Sequence, residues 1–281
     1  MIVCRTKSEV RKAVAAARKD GKSIGVVPTM GALHEGHMSL VRRSVRENGA
    51  TVVTIFVNPT QFGPKEDLSK YPRQLEEDVR MCSQAGADIV FAPDVGEMYP
   101  ADFTTYVEET RLSKGLCGVS RPTHFRGVTT VVAKLFNIVQ ADRAYFGQKD
   151  AQQATVIRRM TRDLDFPIGI VVCPTVREAE GLAMSSRNKY LSNGQKGQAL
   201  VLSKALAAAG KAFNGGERKA AALKELMYGI VGGAPEAKVD YIEVVDAETL
   251  EPVAEVERPA LVAMAVFFGG TRLIDNTVLG G

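Results

Sequence analysis

Tryptophan is absent from this chain, histidine is scarce, and no long apolar run is present. Only 3 histidines occur among 281 residues. A helix needs about 20 consecutive apolar residues to span a bilayer, and the first residues, M-I-V-C-R-T-K-S-E-V, already carry charge at Arg5. Neither a membrane span nor an export signal is therefore expected, and we expect a soluble, cytoplasmic protein.

Paired cysteines and blocks of like charge are also missing. Cys4, Cys82, Cys117 and Cys173 are widely separated and form no C-x-x-C pair, which predicts neither a zinc site nor a disulfide framework. The 36 basic and 32 acidic residues alternate, and the net charge is only +4. This distribution does not indicate nucleic acid as the main partner.

Short apolar segments rich in Val, Ile and Phe alternate with segments of helical periodicity. The fraction of hydrophobic residues, 45%, is enough for a full core. Alternation of this kind is typical of an α/β fold, a Rossmann-like parallel sheet with helices on both faces. The predicted strands are 24–27, 51–57, 89–92, 144–146 and 168–173, and the predicted helices are 39–47, 75–85, 128–139 and 152–164.

The pattern changes after Pro174 and predicts a second, smaller domain. A loop is followed by a helix at about 194–213 and by a second helix ending near 232–233. The segments 239–245 and 261–268, with a short R-L-I beyond them, predict a small antiparallel sheet. We therefore expect two domains, 1–175 and 176–281, the second of α+β type.

Two of the three histidines stand in the string P-T-M-G-A-L-H-E-G-H, residues 28–37. It joins the first predicted strand to a helix, where glycines and unpaired N–H groups favour an anion, so His34 and His37 predict a phosphate pocket. Solvated loop histidines are the alternative. The zinc pattern H-E-x-x-H needs another spacing, and Gly21-Lys22-Ser23 lacks the first glycine of a P-loop.

Polar residues follow two further strands of the predicted sheet. Asn58 and Gln61 lie in F-V-N-P-T-Q-F, and Lys149 and Asp150 follow A-Y-F-G, with Gln153 one turn later. The carboxyl ends of parallel strands share one edge, so these side chains are expected on the rim that carries the histidines. An ordinary turn at Asn58 and a solvated lysine at position 149 remain the alternatives.

Two loops outside these strand ends also carry candidate residues. L-A-M-S-S-R-N contains Ser185, Ser186 and Arg187, which together are suited to clamping a phosphate. In S-R-P-T-H-F-R-G-V, residues 120–128, Arg121 is a candidate partner of a carboxylate. For His124 in the same string, helix capping or salt bridging is the simpler interpretation, as it is for Arg126. Nothing in the sequence assigns a role to Tyr71.

The motifs occur together in one order: P-T-M-G-A-L-H-E-G-H, F-V-N-P-T-Q-F, F-G-Q-K-D-x-Q-Q, and P-T-V-R-E followed by M-S-S-R-N. This combination closely resembles the pantothenate synthetase, or pantoate–β-alanine ligase, family. Its H-E-G-H and M-S-S-R strings resemble the H-I-G-H and K-M-S-K-S signatures of the nucleotidyltransferase superfamily. The resemblance covers most of the chain, although the part after about residue 195 adds little signal.

The resemblance implies a ligase that uses ATP in two steps. The carboxylate of pantoate attacks the α-phosphorus of ATP, and the amine of β-alanine then attacks the pantoyl adenylate, releasing pantothenate and AMP. Mg²⁺ is implied as a companion of the nucleotide, bound mainly through its phosphates and not by protein side chains. The family likeness also implies a cytoplasmic homodimer, with a Rossmann-like nucleotide- and pantoate-binding domain and a C-terminal lid.

Site residues are likewise implied by the resemblance, position by position. The catalytic set is His37 as proton donor, with His34, Lys149 and Arg187. The pantoate set is Gln61, Gln153 and Asn58, and Gln61 also serves β-alanine. The ATP set is Met30, Gly31, Ala32, Leu33, His34, Glu35, Gly36, His37, Gly147, Gln148, Lys149, Asp150, Val176, Met184, Ser185, Ser186 and Arg187.

Without the resemblance, three functions remain open. The first is a ligase that activates a carboxylate, and the second is a nucleotidyltransferase that acts on a cofactor precursor or charges tRNA. The third is a nucleotide sensor without catalysis. Charging tRNA requires an RNA-binding module and a basic face, for which the part beyond residue 175 has little room. A sensor has no need of two phosphate-binding loops.

Overall fold

The computed structural model describes residues 1–63 and 68–281. Within these residues the strands are β1 (Ile2–Cys4), β2 (Ile24–Thr29), β3 (Ala50–Ile55), β4 (Ile89–Phe91), β5 (Arg143–Gly147), β6 (Gly169–Cys173), β7 (Ala237–Asp246), β8 (Ala260–Phe268) and β9 (Thr271–Leu279). The helices are α1 (Lys7–Lys19), α2 (Glu35–Glu47), α3 (Leu75–Gln84), α4 (Val95–Met98), α5 (Cys117–Ser120), α6 (His124–Val139), α7 (Ala151–Asp163), α8 (Asn193–Ala199), α9 (Val201–Asn214) and α10 (Ala220–Gly232). Short 3₁₀ helices cover Pro59–Gln61, Gln148–Asp150 and Ser186–Tyr190.

In the described part of the chain, β1 to β6 form one sheet in the order β1-β4-β3-β2-β5-β6. All paired neighbours in this sheet are parallel. The central strands β2 and β3 are in register, with Thr29 opposite Ile55, so their carboxyl ends reach the same edge. The predicted parallel α/β sheet is confirmed.

Alternate residues of the central strands face two different cores. Val26 and Val52 pack in one apolar core with residues of α1 and α6. Their neighbours Val27 and Val53 pack in a second core with residues of α2 and α3. Because successive side chains of a strand point to opposite faces, both faces of the sheet are covered by helices. This explains why the strands read as continuous apolar runs and not as alternating patterns.

The chain divides into two compact units, each made of several segments. Unit 1 comprises Met1–Thr110, Arg121–Gly147 and Gln153–Pro174, and it contains the parallel sheet. Unit 2 comprises Arg111–Ser120, Gln148–Gln152 and Thr175–Gly281. The two short segments of unit 2 come from the middle of the chain. They belong to this unit because of contacts with residues distant in sequence, which local sequence patterns do not indicate.

Unit 2 is built on an antiparallel sheet with the order β7-β8-β9 in the described residues. Its core contains Met264 of β8, Leu206 of α9 and Met227 of α10, all of which are buried. The strand β8 is central, and its nine residues are almost entirely buried because it is paired on both sides and covered by helices. The predicted small antiparallel sheet is confirmed.

The structure differs from the sequence-based expectations in several elements, and the helices α1, α4 and α5 also lie outside the predicted helical segments. The strand β1 was not predicted, because three residues carry too short a pattern. The single helix expected at about 194–213 is divided into two helices, α8 and α9. They are separated at Leu200, where ψ is −17°. The strand β9 extends well beyond the R-L-I string, since the polar residues Asp275 and Asn276 interrupt the apolar pattern but are buried.

Among residues 1–63 and 68–281, no helix has the length and apolar character needed to cross a bilayer. The four cysteines are free thiols and are buried. Burial raises the pKa of the Cys82 thiol to about 12, and it also raises the pKa of Cys4 and of Cys173. These three thiols are therefore held in their neutral, weakly nucleophilic form.

Candidate active site

The turn between β2 and α2 has a backbone that ordinary residues rarely adopt. Gly31 has φ of 79° and Ala32 has φ of 50°, both in the left-handed region. The carboxylate of Asp78, on α3, accepts hydrogen bonds from the amides of Ala32 at 2.9 Å and Leu33 at 2.8 Å. A Cβ atom at position 31 would lie 2.9 Å from Asp78 Oδ2, so glycine is required there. Asp78 thus holds the turn in its strained conformation.

Asp78 is a buried carboxylate, with 1% of its surface exposed. Burial raises its pKa, and this effect exceeds the lowering by the two backbone hydrogen bonds and by a hydrogen bond from Gln74. The sequence did not indicate this role, because an acidic residue in the first turn of a helix is common. Asp78 differs from such a residue only by its contact with the amide of Leu33, which lies 45 residues away in the chain.

The two histidines flank the first turn of α2. His34 is the residue before the helix, and its carbonyl accepts from the amide of His37 at 2.8 Å. The Nδ1 atom of His37 accepts from the amide of His34 at 3.4 Å, and the two ring centroids are 4.1 Å apart. Two imidazoles therefore lie together at a helix N-terminus, where the helix dipole favours an anion. Glu35, between them, forms an ion pair with Arg42.

A chain of hydrogen bonds fixes the orientation of Gln61. Asn58 Oδ1 accepts from the hydroxyl of Tyr99 at 2.8 Å and from the backbone amide of Thr60 at 3.4 Å. Asn58 Nδ2 therefore faces acceptors, the carbonyl of Gly127 at 3.1 Å and Gln61 Oε1 at 3.0 Å. Since Oε1 is engaged, Gln61 presents its Nε2 donors to the turn.

The Nε2 atom of Gln61 lies 3.0 Å from Met30 Sδ, a weak acceptor. Met30 follows β2 and begins the turn of residues 30–34 that leads into α2, called the histidine turn below. Gln61, Asn58 and this turn are therefore brought together in unit 1, as predicted for neighbouring strand ends. Donor N–H groups with a thioether as partner are well suited to an oxygen of a ligand. Burial raises the pKa of Tyr99, which keeps its hydroxyl available as a donor.

Two residues of the string 120–128 form hydrogen bonds with the backbone of Gln61. His124 Nδ1 donates to the backbone carbonyl of Gln61 at 2.9 Å, and Arg121 donates to the same carbonyl at 3.4 Å. The α6 helix also approaches closely here: a Cβ atom at Gly127 would lie 2.3 Å from the carbonyl oxygen of Thr60. Arg121, predicted as a candidate partner of a carboxylate, and His124, interpreted as a cap or salt-bridge residue, therefore both contact the backbone carbonyl of Gln61 and position this residue.

Arg126 and Tyr71 occupy different surroundings. The guanidinium of Arg126 lies 4.7 Å from the centre of the Tyr106 ring, a cation–π contact instead of the expected cap or salt bridge. Tyr71 is buried and packs edge-on against Phe62, with ring centroids 5.9 Å apart. Both contacts are packing contacts within unit 1.

The adjacent glutamines of α7 differ in their surroundings. The buried Gln152 donates to the carbonyls of Leu112 and Gly115 at 2.9 and 2.8 Å and accepts from the amide of Cys117 at 3.0 Å. It is therefore an anchor for the segment 111–120. Gln153, the candidate for pantoate, is half-buried on the first turn of α7, and no hydrogen bond joins it to Gln61 among the described residues.

Within unit 2, the candidate phosphate residues form two groups. Lys149 and Asp150 lie on a single 3₁₀ turn, with Nζ and Oδ2 3.7 Å apart and Lys149 the more buried of the two. Val176 and Met184 are joined by a hydrogen bond from the Met184 amide to the Val176 carbonyl at 3.0 Å. These two predicted ATP contacts are therefore the ends of one hairpin.

The hairpin leads directly into the Ser185–Arg187 string. Ser185 Oγ accepts from the amide of Arg187 at 3.2 Å and begins the 3₁₀ helix Ser186–Tyr190. Asn188 then donates to the carbonyl of Ala183 at 3.1 Å and to Glu178 at 2.8 Å. The loop thus presents hydroxyl groups and a guanidinium on a base that is held by hydrogen bonds.

No group of three His, Cys, Asp or Glu side chains among the described residues is arranged to hold a metal ion. The candidate groups are instead donors: imidazoles, amides, hydroxyls, a lysine and an arginine. Donors of this kind stabilise negative charge, and phosphoryl and acyl transfer require such stabilisation.

Residues 2–278 match the model of a protein family described as pantoate-beta-alanine ligase. The chain belongs to the pantoate–β-alanine ligase family. Curated relatives agree with the match. A pantothenate synthetase of Pelotomaculum thermopropionicum is 55% identical over 280 residues, 100% of this chain and 99% of that protein. One of Clostridium novyi is 58% identical over 271 residues, 96% of each chain.

Solved structures of the family share the fold. Pantothenate synthetase of Thermus thermophilus is 46% identical, has a TM-score of 0.94, and is covered, like this chain, over 99% of its length. A pantoate–β-alanine ligase of Francisella tularensis, solved with beta-gamma ATP and β-alanine, is 32% identical, with a TM-score of 0.82 and coverage of 99% of this chain and 97% of that one. The resemblance seen in the motifs is confirmed, and the chain is a ligase.

Proposed function

We propose that this ligase condenses (R)-pantoate with β-alanine in two steps, at the expense of ATP. A carboxylate oxygen of pantoate attacks the α-phosphorus of ATP, which forms pantoyl adenylate and releases pyrophosphate. The amine of β-alanine then attacks the acyl carbon, the acyl–phosphate bond breaks, and pantothenate and AMP leave. Family membership supports this reaction, as does the ligand pair of the Francisella relative.

The observation that carries the proposal is the turn at residues 28–37. Its strained backbone is held by Asp78, its two imidazoles lie at a helix N-terminus, and its residue Met30 contacts the donor face of Gln61. Such a site suits a reaction in which negative charge develops on phosphate oxygens next to a small carboxylate. We assign His37 as the proton donor and His34 as its neighbour on the phosphates, with residues 30–37 as ATP contacts.

The fixed orientation of Gln61 limits what it can recognise. Its Nε2 atom donates, so it pairs with a hydroxyl or carboxylate oxygen of pantoate and with the carboxylate, not the ammonium, of β-alanine. Asn58 takes part in pantoate binding by holding Gln61, and we assign Gln153 as the second pantoate glutamine. Recognition of both substrates by donors agrees with the carboxylate that both of them carry.

The residues of unit 2 are proposed to bind the nucleotide by their charge and donors. We assign Lys149 and Arg187 to stabilisation of the phosphate charge, with Ser185 and Ser186 as hydroxyl donors. The further ATP contacts are Gly147, Gln148, Asp150, Val176 and Met184. Mg²⁺ is proposed to arrive with the nucleotide, bound mainly through its phosphates, where it neutralises their charge.

We further propose that the ligase is a cytoplasmic homodimer, with residues 1–175 binding nucleotide and pantoate and residues 176–281 forming a lid. The edge strand β6 supports self-association: it pairs only with β5 in the described sheet, and Val171 and Val172 on it are half-buried. The four free thiols suit a reducing compartment. A light-scattering mass near that of one 30.3 kDa chain would contradict the dimer.

The decisive experiment is a steady-state assay in which each substrate is omitted in turn. AMP and pyrophosphate are expected only when pantoate is present, and pantothenate only when β-alanine is added. Pyrophosphate release that neither substrate affects would contradict the proposal. Replacing His37 or Lys149 by alanine is expected to lower turnover by about 100-fold or more, because each removes stabilisation of transition-state charge. Normal turnover in both variants would remove them from the catalytic set.

A further inference from the structure

Among the described residues, all the hydrogen bonds of the Asn276 carboxamide, on β9, join it to one short segment, residues 148–149. Its Nδ2 atom donates to the carbonyls of Gln148 at 3.0 Å and Lys149 at 2.9 Å. Its Oδ1 atom accepts from Nε2 of Gln148 at 3.0 Å. Two carbonyls can only accept, so the orientation of the amide is unambiguous. Asn276 is 5% exposed, and its contacts fix two successive peptide groups around Lys149.

The preceding residue, Asp275, holds a second segment. Its two carboxylate oxygens accept from the guanidinium of Arg177 at 2.6 and 2.9 Å, and the Asp275 side chain is fully buried. Arg177 also donates to the carbonyl of Gly181 at 3.0 Å. A bidentate pair of this kind fixes both the position and the direction of the arginine.

Arg177 belongs to the hairpin that precedes the Ser185–Arg187 string. The residue before it, Val176, accepts a hydrogen bond from the amide of Met184 across the hairpin, and Arg177 forms an isolated antiparallel β-bridge with Ala183. Fixing Arg177 therefore fixes the base from which the serines and Arg187 extend. The serines and arginine are three residues or fewer from Met184, so little chain is left to absorb a shift of this base.

We propose that Asp275 and Asn276 are positioning residues that align the two nucleotide-binding segments, 148–150 and 176–187, from adjacent positions on β9. The inference rests on the proposed function, in which these segments bind ATP. Neither residue is required to touch the substrate. Asn276 acts on the backbone that carries Lys149, and Asp275 acts through Arg177 on the hairpin that carries the serines and Arg187.

The first test is Asn276→Asp, an isosteric change that keeps the acceptor and replaces the donor by an oxygen facing two carbonyls. The KM for ATP is expected to rise about 10- to 100-fold, as for a buried polar contact left unmade. The KM values for pantoate and β-alanine are expected to stay near those of the unchanged protein. The matched control is Val278→Ala, an exposed position on the same strand, for which all three KM values are expected to stay unchanged.

The second test is Arg177→Lys, which keeps the charge but removes the bidentate contact with Asp275. Direct replacement of Asp275 would leave a partly buried arginine without its partner and is expected to destabilise the whole unit. A selective rise in the KM for ATP is expected for Arg177→Lys, with the melting temperature of each variant measured in parallel. The same rise in all three KM values, together with a lower melting temperature, would show a purely structural role and overturn the inference.

An unchanged KM for ATP in Asn276→Asp would overturn the role of Asn276, and an unchanged value in Arg177→Lys would overturn that of Asp275. A rise of similar size in Val278→Ala would overturn both. Failure of the proposed function is distinguishable, because it appears in the unchanged protein as pyrophosphate release that does not depend on pantoate. If that dependence is present but the variants bind ATP normally, only the positioning inference fails.

Discussion

Replacing Asp78 by asparagine is expected to weaken ATP binding far more than it weakens the fold. The carboxylate accepts from the amides of Ala32 and Leu33 through different oxygens. An asparagine has one oxygen, so in either orientation one buried amide N–H faces an NH₂ group. An unsatisfied buried donor costs about 1–3 kcal/mol. If this cost falls on the histidine turn, the KM for ATP rises by about 5- to 150-fold.

Global stability is expected to change less, because two effects oppose each other. Burial of the Asp78 charge raises its pKa, which shows that desolvation exceeds the stabilisation by its hydrogen bonds. The substitution removes that desolvation cost together with the hydrogen bonds. The substitution is therefore expected to reduce the free energy of unfolding by a smaller amount than it reduces the strength of ATP binding.

The raised pKa of Asp78 also predicts a pH dependence. The folded state binds a proton more readily than the unfolded state, so this group stabilises the fold below its ordinary pKa, and the contribution is lost as pH rises through the raised pKa. The asparagine variant lacks this titration. The free energy of unfolding of the unchanged protein, minus that of Asp78→Asn, is therefore expected to fall as pH rises through that window.

The assay combines ATP titration of the initial rate with urea unfolding at several pH values. Glu76→Gln is the matched control, since it removes an exposed carboxylate from the same helix turn. An unchanged KM for ATP in Asp78→Asn would refute the role of Asp78 in holding the turn. A difference in unfolding free energy that rises with pH would refute the assignment of a raised pKa.

Three further predictions follow from other contacts. Asn58→Asp presents an acceptor to Gln61 and is expected to turn its amide, so the KM for pantoate rises about tenfold or more; an unchanged value would contradict the fixed orientation. Gly127→Ala places a methyl group 2.3 Å from a backbone oxygen and is expected to lower the unfolding free energy by about 1–3 kcal/mol, whereas Gly229→Ala, in open space, is expected to raise it. Cys82 is expected to resist iodoacetamide in mildly alkaline buffer in the native protein, because its pKa is about 12; rapid labelling seen by mass spectrometry would contradict this.

The parallel sheet and the main motifs were predictable because their signals are local. Val26 and Val52 lie in short apolar runs bounded by turns, and such runs alternating with helical patterns permit few folds. The histidine turn is also local, since a glycine at Gly31 and two histidines within one helical turn are visible in the string itself. Predicting that Asn58 and Gln61 lie beside it required only the general property that parallel strands end at one edge.

The supporting contacts were not predictable, because they join residues distant in the chain through groups without a sequence signature. In the sequence, Asp78 has the appearance of an ordinary acidic residue in the first turn of a helix, and Tyr99 has that of an aromatic core residue. Asn276 contacts backbone carbonyls 127 and 128 residues away, and any residue in those positions would offer the same carbonyls. A hydrogen bond to backbone leaves no pattern in the residue types that receive it.

By itself, the sequence determined the type of fold, the family and the identity of the chemical groups, since these depend on local periodicity and on residues named in short motifs. Only the tertiary structure decided how those groups are held: the amide orientation of Gln61, the anchoring of the turn by Asp78, and the contacts of Asp275 and Asn276 on a strand interrupted by polar residues. Orientation depends on burial and on which donor meets which acceptor, and both are properties of the folded chain.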